Sequence, residues 1–262
     1  MKIFETAFNG FIKVFSGKNI AIKHICFIAL TAIVSYSSVQ SDILKNQVQA
    51  ASQIPDLKGL LLGFLAALIV GCYLFGYNIL FMRNVYNDNP EGYLPEFDDN
   101  PFKAFFKGFP LLLTWIFYFI VIILFSTISF ALSIKMPVIG ILLGLIGFCA
   151  IIILSIFVQF LWIEFSKNLE AKGLYNIIRP LKYTKGTMGS LCLLGPLFIP
   201  IYILSLLPCI ILVLALTIAG FGENATMYAG GILGGYIGFV IQLVWYYCLV
   251  NLYKEKFEIG VE

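Results

Sequence analysis

Charge is scarce in this chain. Asp, Glu, Lys and Arg make up 12% of its 262 residues, against about 25% in a soluble domain. That shortage excludes an ordinary water-facing surface over most of the length. The net charge of +3 is small and no basic cluster stands out, which excludes a nucleic-acid partner. There is one histidine, His24. It stands alone at the start of an apolar run, where it reads as a packing residue. No H-E-x-x-H, G-x-S-x-G or phosphate-loop pattern occurs, and no nucleophile–base set can be assembled. Enzymatic activity is therefore not expected.

The six cysteines, Cys26, Cys72, Cys149, Cys192, Cys209 and Cys248, lie within or beside apolar runs and never in C-x-x-C spacing. They read as small hydrophobes, not as a disulfide framework or a zinc site. Asp88, Glu91, Glu96, Asp98 and Asp99 crowd one segment without the ordered spacing of a calcium loop, and read as a solvated loop with a helix cap. Neither metal nor cofactor is expected. No acid or base lies near the middle of a long apolar run, which argues against an ion-coupled pump. No cleavable leader is expected either, because the first apolar run ends in Ser-Tyr-Ser-Ser-Val-Gln and not at a small-residue site.

What the chain has in quantity is uncharged apolar sequence, with 60% of residues hydrophobic. The runs predict an all-α integral membrane protein, a single domain over 1–262 with six transmembrane helices. The spans fall at about 25–39, 59–82, 110–133, 138–163, 191–219 and 227–252, with long loops at 83–109 and 164–190. The first is the shortest. The fifth run contains Pro196, Pro200 and Pro208 and reads as one long, kinked span. A broken helix at a substrate site is the alternative. In the sixth, Gly230, Gly234 and Gly238 form one small-residue stripe, and Gly231 and Gly235 another. Such stripes let helix backbones approach, which predicts a central position for this helix, with a dimer contact as the alternative.

Six spans put Lys45, Lys58 and Lys135 on one side and the other fourteen of the seventeen basic residues on the opposite one. The positive-inside rule then places both termini and both long loops in the cytoplasm, with the protein in the cell membrane.

A threefold repeat is also expected: three hairpins, each preceded by a short amphipathic helix at the cytoplasmic surface. Phe4, Ala7, Phe8 and Phe11 share the i, i+3, i+4, i+7 spacing with Phe102, Phe105, Phe106 and Phe109, and with Leu174, Ile177, Ile178 and Leu181. Pro180 interrupts the third copy. Gln159-Phe-Leu-Trp162 matches Gln242-Leu-Val-Trp245, 83 residues on, and Asn78-Ile-Leu-Phe81 lies 81 residues before. Asn78, Gln159 and Gln242 are either interhelical hydrogen-bonding residues or the polar lining of a cavity.

The stretch from Gly92 to Gly108 organises the rest. Asn89-Pro-Glu-Gly92 makes a turn. Asp98, Asp99 or Asn100 then caps a helix with Pro101 in its first turn. Gly76-Tyr77, Arg83, the Leu94-Pro-Glu-Phe-Asp-Asp99 loop and Gly108 together resemble a family of uncharacterised multi-pass membrane proteins catalogued as domain of unknown function 4013. This chain has phenylalanine at Phe97 where the family commonly has tryptophan, and one arginine where two are usual. The resemblance implies a helical membrane fold and assigns no catalytic residue. Two roles follow as expectations. One is a non-enzymatic scaffold or assembly subunit that docks a membrane or cytoplasmic protein through Leu94, Pro95, Phe97, Asp98 and Asp99. The other is a passive or partner-driven transporter of a small molecule or lipid. The lipid bilayer is a partner in either case, and no oligomeric state is read from the sequence.

Overall fold

The computed structural model describes residues 3–49, 57–89, 92–97, 101–171, 174–175 and 179–258. The helices are α1 (Ile3–Val14), α2 (Ile20–Gln49), α3 (Leu57–Tyr86), α4 (Pro101–Lys135), α5 (Pro137–Asn168), α6 (Thr184–Ile218) and α7 (Glu223–Phe257), with a 3-10 turn at Arg179–Tyr183 before α6. Five contain stretches long and apolar enough to cross a membrane among the described residues: Ile20–Ser37, Leu61–Tyr86, Phe102–Lys135, Gly186–Ile218 and Glu223–Phe257. In α5 the corresponding described stretch is the shorter Pro137–Gly147, although the helix continues to Asn168. The protein is thus an all-helical chain with the character of a membrane protein.

Helix α7 lies at the centre, packed against α1, α2, α3, α5 and α6. Its glycines explain why. A Cβ on Gly230 would press on Val213 of α6 at 2.9 Å, while those on Gly231 and Gly235 would meet Ser35 and Thr31 of α2 at 3.2 and 3.4 Å. Gly234 faces Cys209 of α6, and Gly238 meets nothing within 4 Å. The two stripes therefore serve two different neighbours. The α3, α5 and α7 helices also pack on one another, while α2 packs on α3 and α7, α4 on α3 and α5, and α6 on α7. Almost none of the apolar stretch of α6 is buried, against nearly half of that in α7. Outer helices with apolar residues on all faces are what lipid contact requires.

The predicted surface helices need correction. The first is a separate helix, α1, with Ala7, Gly10 and Val14 buried and Phe4 and Phe8 exposed. The second is not separate, because Pro101–Lys135 is one continuous helix through Pro110. The reason is packing: Ala104 is buried, and Gly108 lies in the crossing with α3. This first part of α4 is held against the bundle and not laid flat beside it. In the third copy Ile177 and Ile178 lie outside the described residues, and the segment that follows is the 3-10 turn containing Pro180. Helix α6 likewise runs uninterrupted through Pro196, Pro200 and Pro208, so the fifth run contains no break.

Polar contacts gather the end of α7 and the segments that follow α3 and α5 at one end of the bundle. Glu258 meets Lys167 and Tyr86. Lys254 reaches Asp88 at 2.6 Å. Glu164 holds Arg179 and Lys182 at 2.8 and 2.6 Å.

Candidate functional site

The crossing of α3 and α4 positions the site. A Cβ added to Gly76 would overlap the carbonyl oxygen of Ala104, and one added to Gly108 would overlap that of Cys72. Only glycine lets two helix backbones approach this closely. The connection between these helices must then fold back over their ends. Gly92 N–H donates to the Asn89 carbonyl at 3.3 Å, which closes the expected turn. Gly92 takes φ of 120°, a conformation that suits glycine.

Beyond the turn the loop is fastened at successive residues. Asn84 Nδ2 donates to the Tyr93 carbonyl at 3.2 Å. The Lys23 ammonium from α2 donates to the Leu94 carbonyl at 3.0 Å and to Glu96 Oε1 at 2.8 Å. The Tyr77 hydroxyl donates to the Pro95 carbonyl at 2.8 Å. The Phe97 ring stacks on Tyr77 at 5.5 Å and on Tyr73 at 6.3 Å, and leans on Phe27 at 5.7 Å. Lys23 is only 3% exposed, and a buried ammonium needs such acceptors. The hydrogen bond from Lys23 holds the Glu96 carboxyl below the usual carboxylate range, against a smaller opposing effect of burial.

Leu94 and Pro95 are buried and Phe97 is partly buried. The apolar residues expected to dock a partner thus spend their surface on the chain's own helices. Asp98 and Asp99 lie outside the described residues.

Beside the docked loop is an apolar cavity of about 630 Å³. Cys26, Ala29 and Leu30 of α2 form one wall, and Ile69, Val70 and Tyr73 of α3 a second. Phe97 and then Phe102, Phe105 and Phe106 complete it. Phe102 and Phe106 are exposed on its outer edge, with Lys103, also exposed, on the same turn. A smaller apolar cleft of about 170 Å³ separates α4 from α5. A polar one of about 180 Å³ lies among Glu164, Lys167 and Arg179. Among the described residues, no group of three His, Cys, Asp or Glu side chains is arranged to hold a metal ion.

The repeated amides are not brought into one cluster. Gln159 Oε1 accepts from Trp245 Nε1 at 2.6 Å and so ties α5 to α7. Gln242 Nε2 donates to the Tyr246 hydroxyl of its own helix at 2.9 Å. Asn78 is buried in α3, and none of the three lines the cavities above. His24 has a structural role. The Val14 carbonyl can only accept, so Nε2 is the protonated nitrogen facing it at 3.2 Å, and Nδ1 accepts from the Tyr236 hydroxyl at 2.9 Å.

Sequence reasoning missed Lys23. Its carboxylate partner lies 73 residues away, and no local pattern announces such a pair. It also missed the cavity, although the ring spacing of Phe102, Phe105 and Phe106 was visible.

Residues 59–170 match the family model described as protein of unknown function DUF4013. The expected family resemblance is shown. The DUF4013 segment covers less than half of the chain, but it contains Gly76, Tyr77, Leu94, Pro95, Phe97 and Gly108. The matched segment thus includes the α3–α4 crossing together with the loop fastened over it. Neither the curated proteins nor the solved structures include a match to this chain.

Proposed function

We propose that this is a non-enzymatic, six-span protein of the cell membrane that holds a membrane phospholipid in the cavity beside its docked loop. It would act as a passive or partner-driven lipid carrier. The observation that carries this reading is the apolar cavity of about 630 Å³, within the roughly 300–1,000 Å³ typical of ligand sites. Its walls offer nothing to a polar solute. Acyl chains suit them. The α5 helix supplies the sixth span, since its 32 residues extend for about 48 Å at 1.5 Å each. The gathering of the end of α7 and the segments after α3 and α5 at one end of the bundle agrees with six spans, and the excess of basic residues there favours the cytoplasmic side by the positive-inside rule. The scaffold reading is less favoured, because Leu94 and Pro95 are buried.

Filling the cavity tests the reading. The Ala29→Trp, Cys26→Phe double variant is purified in mild detergent beside the unaltered protein, and both are weighed by native mass spectrometry. The unaltered protein carries phospholipid in fixed ratio and the folded variant does not. Equal lipid on both, or none on either, rejects the proposal.

A further inference from the structure

Two buried polar atoms of the inner helices have no hydrogen-bond partner among the described residues: Oδ1 of Asn78 on α3 and Nε1 of Trp162 on α5. One accepts and the other donates. Asn78 is 2% exposed and Trp162 1%. At such depth an unpartnered polar atom is costly.

The internal repeat relates these two atoms. Trp162 and Trp245 are 83 residues apart, as are Trp115 and Phe198, and Gln159 and Gln242. The fold treats these residues as equivalents. Trp162 packs on Trp115 with ring centroids 5.8 Å apart, and Trp245 packs on Phe198 at 5.0 Å. Trp245 then donates to Gln159 Oε1 at 2.6 Å, so the indole of one repeat bonds the amide of the repeat before it. Moved back one repeat, the same relation pairs Trp162 with Asn78, on two helices that pack together. The remaining position carries Phe81, which has no donor, and there Gln242 turns to Tyr246 on its own helix.

Asparagine is one methylene shorter than glutamine, so its amide reaches less far across the helix interface. We propose that Asn78 Oδ1 and Trp162 Nε1 form one polar site between α3 and α5, joined by a single buried water molecule. The water accepts from the indole N–H and donates to the amide carbonyl. Two protein partners meet the lower limit for an ordered buried water, and a bridging water serves nearly as well as a direct bond. The site sets the register of α3 against α5, as the Trp245–Gln159 bond sets that of α7.

The test uses the full chain, labelled with 15N-tryptophan in lipid nanodiscs. The three indole N–H signals of Trp115, Trp162 and Trp245 are assigned by single Trp→Phe replacements. A magnetisation-transfer cross-peak from water to the Trp162 N–H is expected. Asn78→Leu removes that cross-peak and shifts the Trp162 signal, while an unmoved Trp245 signal shows that the fold is kept. Asn78→Gln removes the cross-peak but keeps the hydrogen-bonded shift, because the longer amide reaches the indole directly. If Asn78→Leu does not fold, Asn78→Gln alone decides. A Trp162 signal without a water cross-peak in the unaltered protein overturns the proposal. So does one whose cross-peak survives Asn78→Gln.

Discussion

Removing the Tyr77 hydroxyl should free the docked loop while sparing the helices beneath it. Tyr77→Phe keeps the ring that meets Phe27 and Phe97 and deletes only the donor to the Pro95 carbonyl, now at 2.8 Å. Tyr77 is 1% exposed and Pro95 is buried, so in the docked state the carbonyl would have no water to replace the lost donor. A buried acceptor left unmade costs about 1–3 kcal/mol. Opening the loop returns that carbonyl to solvent, so the cost is borne by the docked state alone. The open fraction should therefore rise about 5- to 150-fold. Hydrogen–deuterium exchange with mass spectrometry reads this directly on a peptide covering 92–97, whose amides exchange through opening. A peptide from the buried part of α7 serves as the control and should not change. Unchanged exchange at 92–97 in a folded Tyr77→Phe protein would refute the reasoning, since the loop would then not depend on that bond.

Three further outcomes are expected. Gly108→Leu forces a side chain into the α3 backbone at Cys72 and should abolish the folded monodisperse protein on size exclusion, whereas Gly238→Ala, which meets nothing within 4 Å, should not. Gln159→Leu strands the Trp245 indole donor, which lowers stability towards denaturing detergent by about 0.6–2 kcal/mol; equal unfolding midpoints would count against that bond. The folded carboxyl of Glu96 is held below its ordinary range by Lys23. Its support for the loop is therefore complete above the ordinary carboxylate pKa and is lost as pH falls through the lower folded value. After correction for intrinsic rates, exchange at 92–97 should rise over that acidic window, and Glu96→Gln should remove the dependence.

The apolar runs made the helical membrane class and the positions of α2 to α7 legible, because length and hydropathy are local properties. The stripes of α7 were legible for the same reason, and Gly230, Gly231, Gly234 and Gly235 face two neighbours as small residues should. The surface-helix reading of Phe102 to Phe109 failed in part because amphipathic spacing does not say whether lipid or another helix covers the small-residue side. Ala104 and Gly108 were the overlooked signal. The buried Lys23 and its partners at Leu94 and Glu96 were invisible, since the fold alone brings such distant residues together. Tyr77 and Leu94 to Phe97 were singled out as a motif, yet the direction of the loop, inward onto its own helices, depended on the α3–α4 crossing.

Lipid binding beside the docked loop is tested most directly by a photoreactive side chain placed within the cavity. Leu30, partly exposed on the α2 wall, is replaced by a diazirine-bearing amino acid in cells. The protein is then irradiated in its native membrane and weighed intact. An adduct with the mass of a phospholipid, reduced when Ala29→Trp fills the cavity, is the predicted result. Crosslinking only to another protein, or a lipid adduct unaffected by Ala29→Trp, would contradict it.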